Sequence, residues 1–88
     1  MAPRIASAAD GVAERMAEAI RAALPGAAVE VAPRGPGHFE VSVAAEAFRG
    51  RDRVHQHRMV YAALAPLLTG DAPPVHAIDR LSTSVPEG

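Results

Sequence analysis

Residues 48–64 read FRGRDRVHQHRMVYAAL, and after a short loop residues 75–87 read VHAIDRLSTSVPE. The first segment predicts a long helix that Asp52 caps, because an aspartate side chain can accept from the amides of the first turn. The helix should run to about Leu68, with Pro66 limiting its last turn. Its apolar residues have helical spacing and predict the buried stripe: Val54, Tyr61, Leu64 and Leu68, flanked by Val60 and Leu67.

The residues on either side of this helix predict a short turn and a strand. Residues 44–48 are expected to form a single helical turn that Gly50 closes. Residues 75–83 are expected to form a strand, with Pro86 marking the tail.

The first third of the chain predicts another helix. Ser7, followed three residues later by Asp10, is close to a capping box, and Val12, Met16 and Ile20 recur at every fourth position. The helix should end at Pro25-Gly26, since proline disfavours the helical conformation in the residue before it.

Two alternating patterns predict a β-hairpin. Val29 and Val31 alternate with polar or small residues, and Phe39, Val41 and Val43 do the same after a break. The five connecting residues, PRGPG, are short and rich in turn-forming types, so the two strands should be antiparallel.

These elements follow the order α-β-β-α-α-β and predict an α+β fold of two layers. A three-stranded mixed sheet would carry the helices on one face and leave the other face open. Eighty-eight residues suffice for a single domain, residues 1–88, with tails at 1–6 and 84–88.

The amino-acid composition excludes several kinds of site and function. The chain has no cysteine, so it offers neither a disulfide nor a thiolate ligand of its own. The sequence shows no signal peptide pattern and no stretch long enough to span a membrane, which predicts a cytoplasmic protein that does not bind membranes. The net charge of −1 argues against general attraction to nucleic acid.

Histidines are the candidate metal ligands. His55 and His57 would point about 200° apart on a helix and cannot chelate one ion. His38 and His76 each begin a predicted strand, beside a loop, where they could lie near one another. Neutral imidazole is a suitable ligand for iron, zinc or copper, although this pattern alone also fits surface histidines. No hydrolase, dinucleotide-binding or phosphate-loop motif is present, which predicts that the chain is not an enzyme.

Three motifs in this order resemble the BolA family over nearly the whole chain. They are Phe48-x-Gly50, the run from Val54 through His57-Arg58-Met59-Val60-Tyr61 to Leu64, and His76-Ala77-Ile78, with His38-Phe39 before the second strand. The resemblance implies a fold similar to class II KH domains. It also implies pairing with a monothiol glutaredoxin and glutathione, with a 2Fe-2S cluster shared between the partners or handed on. The sequence leaves open whether the chain also forms a homodimer.

The resemblance also implies the ligands of that cluster. A histidine heading the last strand, here His76, is the ligand common to the family. The second ligand usually comes from the loop between the first two strands, but residues 33–37 hold neither histidine nor cysteine, which leaves His38. Glutathione and a glutaredoxin cysteine would then supply the sulfur ligands.

The chain departs from the family pattern in two further places. Ala45 stands where a serine often precedes the short helix, which removes a capping hydroxyl. One residue more than usual lies between His76 and Pro86, which predicts a bulge in the last strand or a longer tail.

The alternative function is a DNA-binding transcriptional regulator. BolA-like proteins are also described as regulators, and the helical pair allows comparison with a helix-turn-helix. Its phosphate contacts would be Arg49, Arg51, Arg53 and Arg58. Against this, the helix junction lacks a Gly-x-x-Gly loop, and only three residues are aromatic, so stacking platforms are scarce.

Overall fold

The computed structural model describes residues 8–87, and its elements follow the predicted order. The elements are α1 (Ala8–Ala23), β1 (Ala28–Pro33), β2 (His38–Ala44), a 3-10 turn (Glu46–Phe48), α2 (Arg53–Leu68) and β3 (Ala77–Ser84). The predicted cap at Ser7 and the tail at 1–6 lie outside the described residues. Neither helix in the described range is long and apolar enough to cross a membrane.

The three strands form one mixed sheet in the order β1-β2-β3. β1 and β2 are antiparallel, with Val29 opposite Val43 and Val31 opposite Val41, which confirms the hairpin. β2 and β3 are parallel, because the 3-10 turn and α2 carry the chain back to the end of the sheet where β2 began. The two-layer α+β architecture is therefore as expected from the pattern.

The core lies between one face of the sheet and the helices. Along β2 the side chains alternate, so that Phe39, Val41 and Val43 are buried while His38 and Ser42 are exposed on the open face. The other buried residues come from both helices and the connecting segments: Met16, Ile20, Leu24, Ala27, Ala45, Phe48, Val60, Leu64, Leu67 and Val75.

The predicted buried stripe of α2 is partly wrong. Val54 is 59% exposed and Tyr61 is 42% exposed, whereas the buried residues of the helix are Val60, Leu64 and Leu67. Two neighbouring stripes of α2 both have helical spacing, so periodicity could not choose between them. The choice is made by the direction from which α2 packs on α1 and β3.

This correction can be tested with two identical substitutions in one helix. Val60→Ala should lower the free energy of unfolding by roughly 1–3 kcal/mol, because it removes buried methyl groups and leaves a cavity. Val54→Ala should change it by less than about 0.5 kcal/mol, because that side chain is exposed. Urea denaturation followed by circular dichroism measures both values, and equal losses would contradict the packing of α2 seen here.

The last strand carries the predicted bulge. Phe39 pairs with Ile78, but the next residue, Glu40, pairs with Arg80, so Asp79 is the extra residue on β3. The strand begins two residues later than expected, at Ala77, so that Val75 and His76 precede it. It ends one residue later than expected, at Ser84, whose carbonyl accepts from the Ala45 amide at 3.0 Å. Ser84, which was expected to be the first residue of the C-terminal tail, therefore belongs to β3.

The start of α2 is fixed by side chains. The Asp52 carboxylate accepts from the His55 amide at 2.8 Å, which confirms the predicted cap. The Gln56 side-chain amide donates to the carbonyl of Arg51 at 2.8 Å and to that of Phe48 at 3.3 Å. The 3-10 turn has no side-chain cap at Ala45, in agreement with the missing hydroxyl.

Candidate functional site

His76 lies immediately before β3, where the chain meets the loop between β1 and β2. Its backbone amide donates to the carbonyl of Gly37 at 2.8 Å, and the amide of Ala77 donates to the same carbonyl at 3.0 Å. These two bonds fix the backbone of His76 at the end of the sheet where β2 also begins.

Gly37 lies directly against the His76 imidazole. A Cβ atom at this position would be 2.6 Å from Cγ of the ring and 2.8 Å from Nδ1, closer than non-bonded atoms can approach. Gly37 also has a φ of +74°, which residues with a side chain rarely adopt. Glycine is therefore required here both by the backbone conformation and by the position of the imidazole.

The His76 imidazole is accessible and has no hydrogen-bond partner among residues 8–87. Exposure of the residue leaves the ring within reach of another molecule. The contact with Gly37 restricts where the ring can lie, so its nitrogens are offered from a limited range of positions. An accessible, unengaged imidazole held in this way can complete the coordination of a metal whose other ligands come from outside the chain.

His38 lies at the same end of the sheet but already has a partner. Its Cα pairs with that of Ala77, the neighbour of His76, so the backbones of the two histidines lie at the same end of the sheet. The Nδ1 atom of His38 lies 2.9 Å from a carboxylate oxygen of Asp79, and both side chains are nearly half exposed. This contact leaves Nε2 as the ring nitrogen that could face a ligand.

The described part of the chain does not hold a complete metal site. No group of three or more histidine, cysteine, aspartate or glutamate side chains in residues 8–87 is arranged to surround an ion. The possible metal donors near Gly37 are imidazoles, and the chain has no cysteine. Such imidazoles could serve as one or two ligands of a cluster whose remaining ligands are sulfur atoms from other molecules.

An apolar groove of about 480 Å³ adjoins this end of the sheet. Gly37 lines the groove and also contacts the His76 imidazole, so the groove lies next to that imidazole. The remaining lining residues come from α1, from the loop between β1 and β2, from β2 and from the loop before β3: Ala9, Val12, Gly35, Pro36, Phe39 and Pro74.

The four arginines of the alternative site do not act as one group. The Arg49 guanidinium binds the Glu46 carboxylate through two contacts, the longer of which is 3.0 Å between Nη2 and Oε2. This hydrogen bonding lowers the pKa of Glu46 and raises the pKa of Arg49, so both stay charged and offset each other. Arg51, Arg53 and Arg58 are exposed and have no ion pair with any residue from 8 to 87.

Two residues of the site were missed by sequence reasoning. Asp79 reaches His38 because it is the extra residue of the bulge, and no local pattern identified which residue that would be. The sequence pattern indicates only that Gly37 belongs to a turn, although it precedes His38 directly. Its contact with His76 joins residues 39 positions apart and depends on the parallel pairing of β2 with β3.

The chain is similar to BolA proteins in both sequence and fold. The model of the BolA-like protein family matches residues 16–87. A bolA protein homologue from Coxiella burnetii is 28% identical, covers 93% of this chain and 94% of its own, and has a TM-score of 0.67. BolA1 from Mus musculus is 28% identical, with 96% of this chain and 71% of that chain covered and a TM-score of 0.64.

A third structure extends the likeness to plants. The BolA domain of SufE1 from Arabidopsis thaliana is 24% identical, with 91% of this chain and 95% of that chain covered and a TM-score of 0.67, which shows a shared fold. No curated protein sequence matches the chain at a significant level.

Proposed function

Since the chain belongs to the BolA-like protein family, we propose that it is a non-enzymatic cytoplasmic protein that pairs with a monothiol glutaredoxin in 2Fe-2S cluster binding, assembly or transfer. The observation that supports this best is the His76 imidazole, which is exposed, without a partner in residues 8–87, and restricted in position by Gly37. Such a side chain is free to bind a group that another protein presents.

The ligand chemistry explains why a partner is needed. A 2Fe-2S cluster supplies one-electron and cluster-transfer chemistry and is held mainly by thiolates, of which this chain has none. A glutaredoxin cysteine and glutathione would supply the sulfur, and His76 would supply imidazole. Because imidazole is neutral and can be protonated, a ligand of this kind suits a cluster that is released more readily than one bound by four thiolates.

His38 is the proposed second ligand. Its Nδ1 atom contacts Asp79 at 2.9 Å, so the carboxylate can orient the ring and leave Nε2 for the cluster. Carboxylate partners of this type orient histidine ligands in many metal sites. The apolar groove beside Gly37 supports docking of a partner at this end of the sheet, since it provides apolar area next to the ligand.

Removal of the His76 imidazole tests the proposal. The chain is co-purified with a monothiol glutaredoxin, iron, sulfide and glutathione, and the cluster is followed by visible absorption and circular dichroism. His76→Ala should reduce the cluster retained by the heterodimer by roughly tenfold or more, because it removes a direct ligand. His55→Ala is the matched control, since His55 is an exposed histidine on α2, and it should leave the spectrum unchanged.

An unchanged cluster spectrum with His76→Ala would remove His76 as a ligand. His38→Ala distinguishes the second ligand: a changed spectrum is expected if Nε2 of His38 binds the cluster, and a spectrum identical to the wild type would assign that position to another group.

DNA binding is the second candidate, and it is favoured only by the exposed, unpaired state of Arg51, Arg53 and Arg58 within residues 8–87. Arg49 is engaged by Glu46, and two of the three aromatic residues, Phe39 and Phe48, are buried in the core. Binding of a DNA duplex measured against salt concentration tests this candidate. A dissociation constant no tighter than about 10⁻⁴ M at physiological salt would leave only nonspecific attraction.

A further inference from the structure

One face of α2 exposes two large apolar side chains that the core does not use. Among residues 8–87, the large hydrophobic residues that are exposed are Val54 and Tyr61. They are seven positions apart, so they lie within about 20° of each other around the helix and about 10 Å apart along it. Arg58, which is also exposed, lies between them one turn after Val54. We call these three residues the outer face of α2.

The outer face of α2 is suited to contact with another helix. Ala65, one turn beyond Tyr61, is exposed and has a short side chain, so a neighbouring helix can approach the backbone closely. The Tyr61 hydroxyl makes no hydrogen bond with any residue from 8 to 87. Tyrosine combines a large apolar area with a polar group and is enriched where proteins bind one another.

The segment that carries this face has an excess of positive charge. Residues 47–70 include four arginines and one acidic residue, Asp52, whose carboxylate accepts from the His55 amide at 2.8 Å. Arg51 and Arg58 are exposed and make no ion pair with any residue in the range 8–87. The outer face of α2 therefore combines exposed apolar side chains with positive charge that the described chain does not balance.

The start of this face is distant from the histidine site. The first turn of α2 lies beside the end of β3, where the Thr83 hydroxyl donates to Oε1 of Gln56 at 2.7 Å. His76 precedes the other end of the same strand. The extended chain between Thr83 and His76 spans roughly 20 Å. A molecule bound at Val54 can therefore leave His76 uncovered.

We propose that the outer face of α2 binds an acidic amphipathic helix of another protein. The apolar side chains of such a helix would pack on Val54 and Tyr61, and its carboxylates would pair with Arg58. Complementary charge of this kind speeds association and selects against basic partners. A second copy of this chain fits less well, because a two-fold contact of the face with itself brings two positively charged segments together. DNA also fits less well, because contacts with phosphates use cations and not the apolar side chains between them.

Titration of the full chain with synthetic peptides tests the proposal. The probe is a helical peptide of about 16 residues, roughly four turns, with leucine along one face and glutamate elsewhere. It should shift the backbone NMR signals of Val54, Arg58 and Tyr61 with saturation and leave that of His76 unchanged. A peptide of the same composition, with its leucines distributed around the helix, should bind at least about tenfold more weakly because it has no apolar face.

Variants of exposed residues locate the binding surface. Tyr61→Ala should weaken binding of the acidic peptide about tenfold or more, since buried tyrosines dominate the energy of many interfaces. Arg58→Gln should weaken it about threefold at low salt and less at high salt, because salt screens exposed charges. Arg21→Gln, on the exposed surface of α1, is the matched control and should change the affinity less than twofold. Circular dichroism verifies that each variant is folded.

Four results would overturn the proposal. Absence of saturable shifts at the outer face of α2 would show that it does not bind an acidic helix. Equal affinity for the two peptides would show attraction between charges without an apolar contact. Equal losses with Arg58→Gln and Arg21→Gln would place the peptide elsewhere. A DNA duplex that shifts the signals of this face when the acidic peptide does not would make it a nucleic-acid surface.

Discussion

Gly37→Ala should reduce cluster capture about as far as removal of the His76 imidazole does, while the imidazole itself is still present. The new Cβ atom would lie 2.6 Å from Cγ of His76, so either the ring or the loop must move. The loop cannot move freely, because the Gly37 carbonyl accepts from the amides of both His76 and Ala77. The φ of +74° adds strain of about 1–2 kcal/mol for any residue other than glycine.

Gly35→Ala is the matched control for this prediction. Gly35 belongs to the same loop and also has a positive φ, +109°, but a Cβ atom there would meet no atom within 4 Å. Both variants should lose stability from backbone strain, and only Gly37→Ala should also change the NMR signals of the His76 ring and the cluster spectrum. If the two variants behave alike in both measurements, the contact between Gly37 and His76 has no influence on the site.

Phe48→Ala should lower the free energy of unfolding by about 3–5 kcal/mol. Phe48 is fully buried at the end of the 3-10 turn. Its backbone carbonyl accepts from the Arg51 amide at 3.0 Å and from the Gln56 side chain at 3.3 Å, so the residue lies where the turn leads into α2. Small domains have only about 5–15 kcal/mol of stability in total, and the loss would leave a substantial fraction unfolded at 37 °C.

Chemical denaturation of Phe48→Ala and Tyr61→Ala measures this prediction. Tyr61 is the exposed aromatic residue of α2, at 42% exposure, and its truncation should cost no more than about 1 kcal/mol. Similar losses for the two variants would mean that Tyr61, which the sequence pattern placed in the buried stripe, belongs to the core after all. A loss below about 1 kcal/mol for Phe48→Ala would contradict its place in the core.

Most of the fold could be predicted because its elements are encoded locally. The hairpin follows from alternation around residues 33–37, and the α2 cap follows from Asp52. The bulge could be predicted from one surplus residue in the last strand, since the pairing with β2 must absorb it. The buried face of α2 could not be predicted, because two apolar stripes lie side by side on that helix and only packing distinguishes them.

Some residues of the candidate site could likewise be predicted from the sequence, and others could not. His76 could be named as a candidate from its place just before the last strand and from the resemblance to BolA proteins, and His38 from its place at the start of the second strand. Gly37 and Asp79 could not, because their contacts with these histidines join segments about 40 residues apart.

The sequence by itself determined the order of the elements, the antiparallel hairpin and the absence of thiolate ligands in the chain. These depend on residue types and on spacing within one element, where backbone preferences and side-chain periodicity act over a few residues. Tertiary structure decided the face on which α2 is buried, the contact of Gly37 with His76 and the pairing of Asp79 with His38. Each of these depends on how β3 pairs with β2 and how α2 packs across the sheet, since those contacts bring distant residues together.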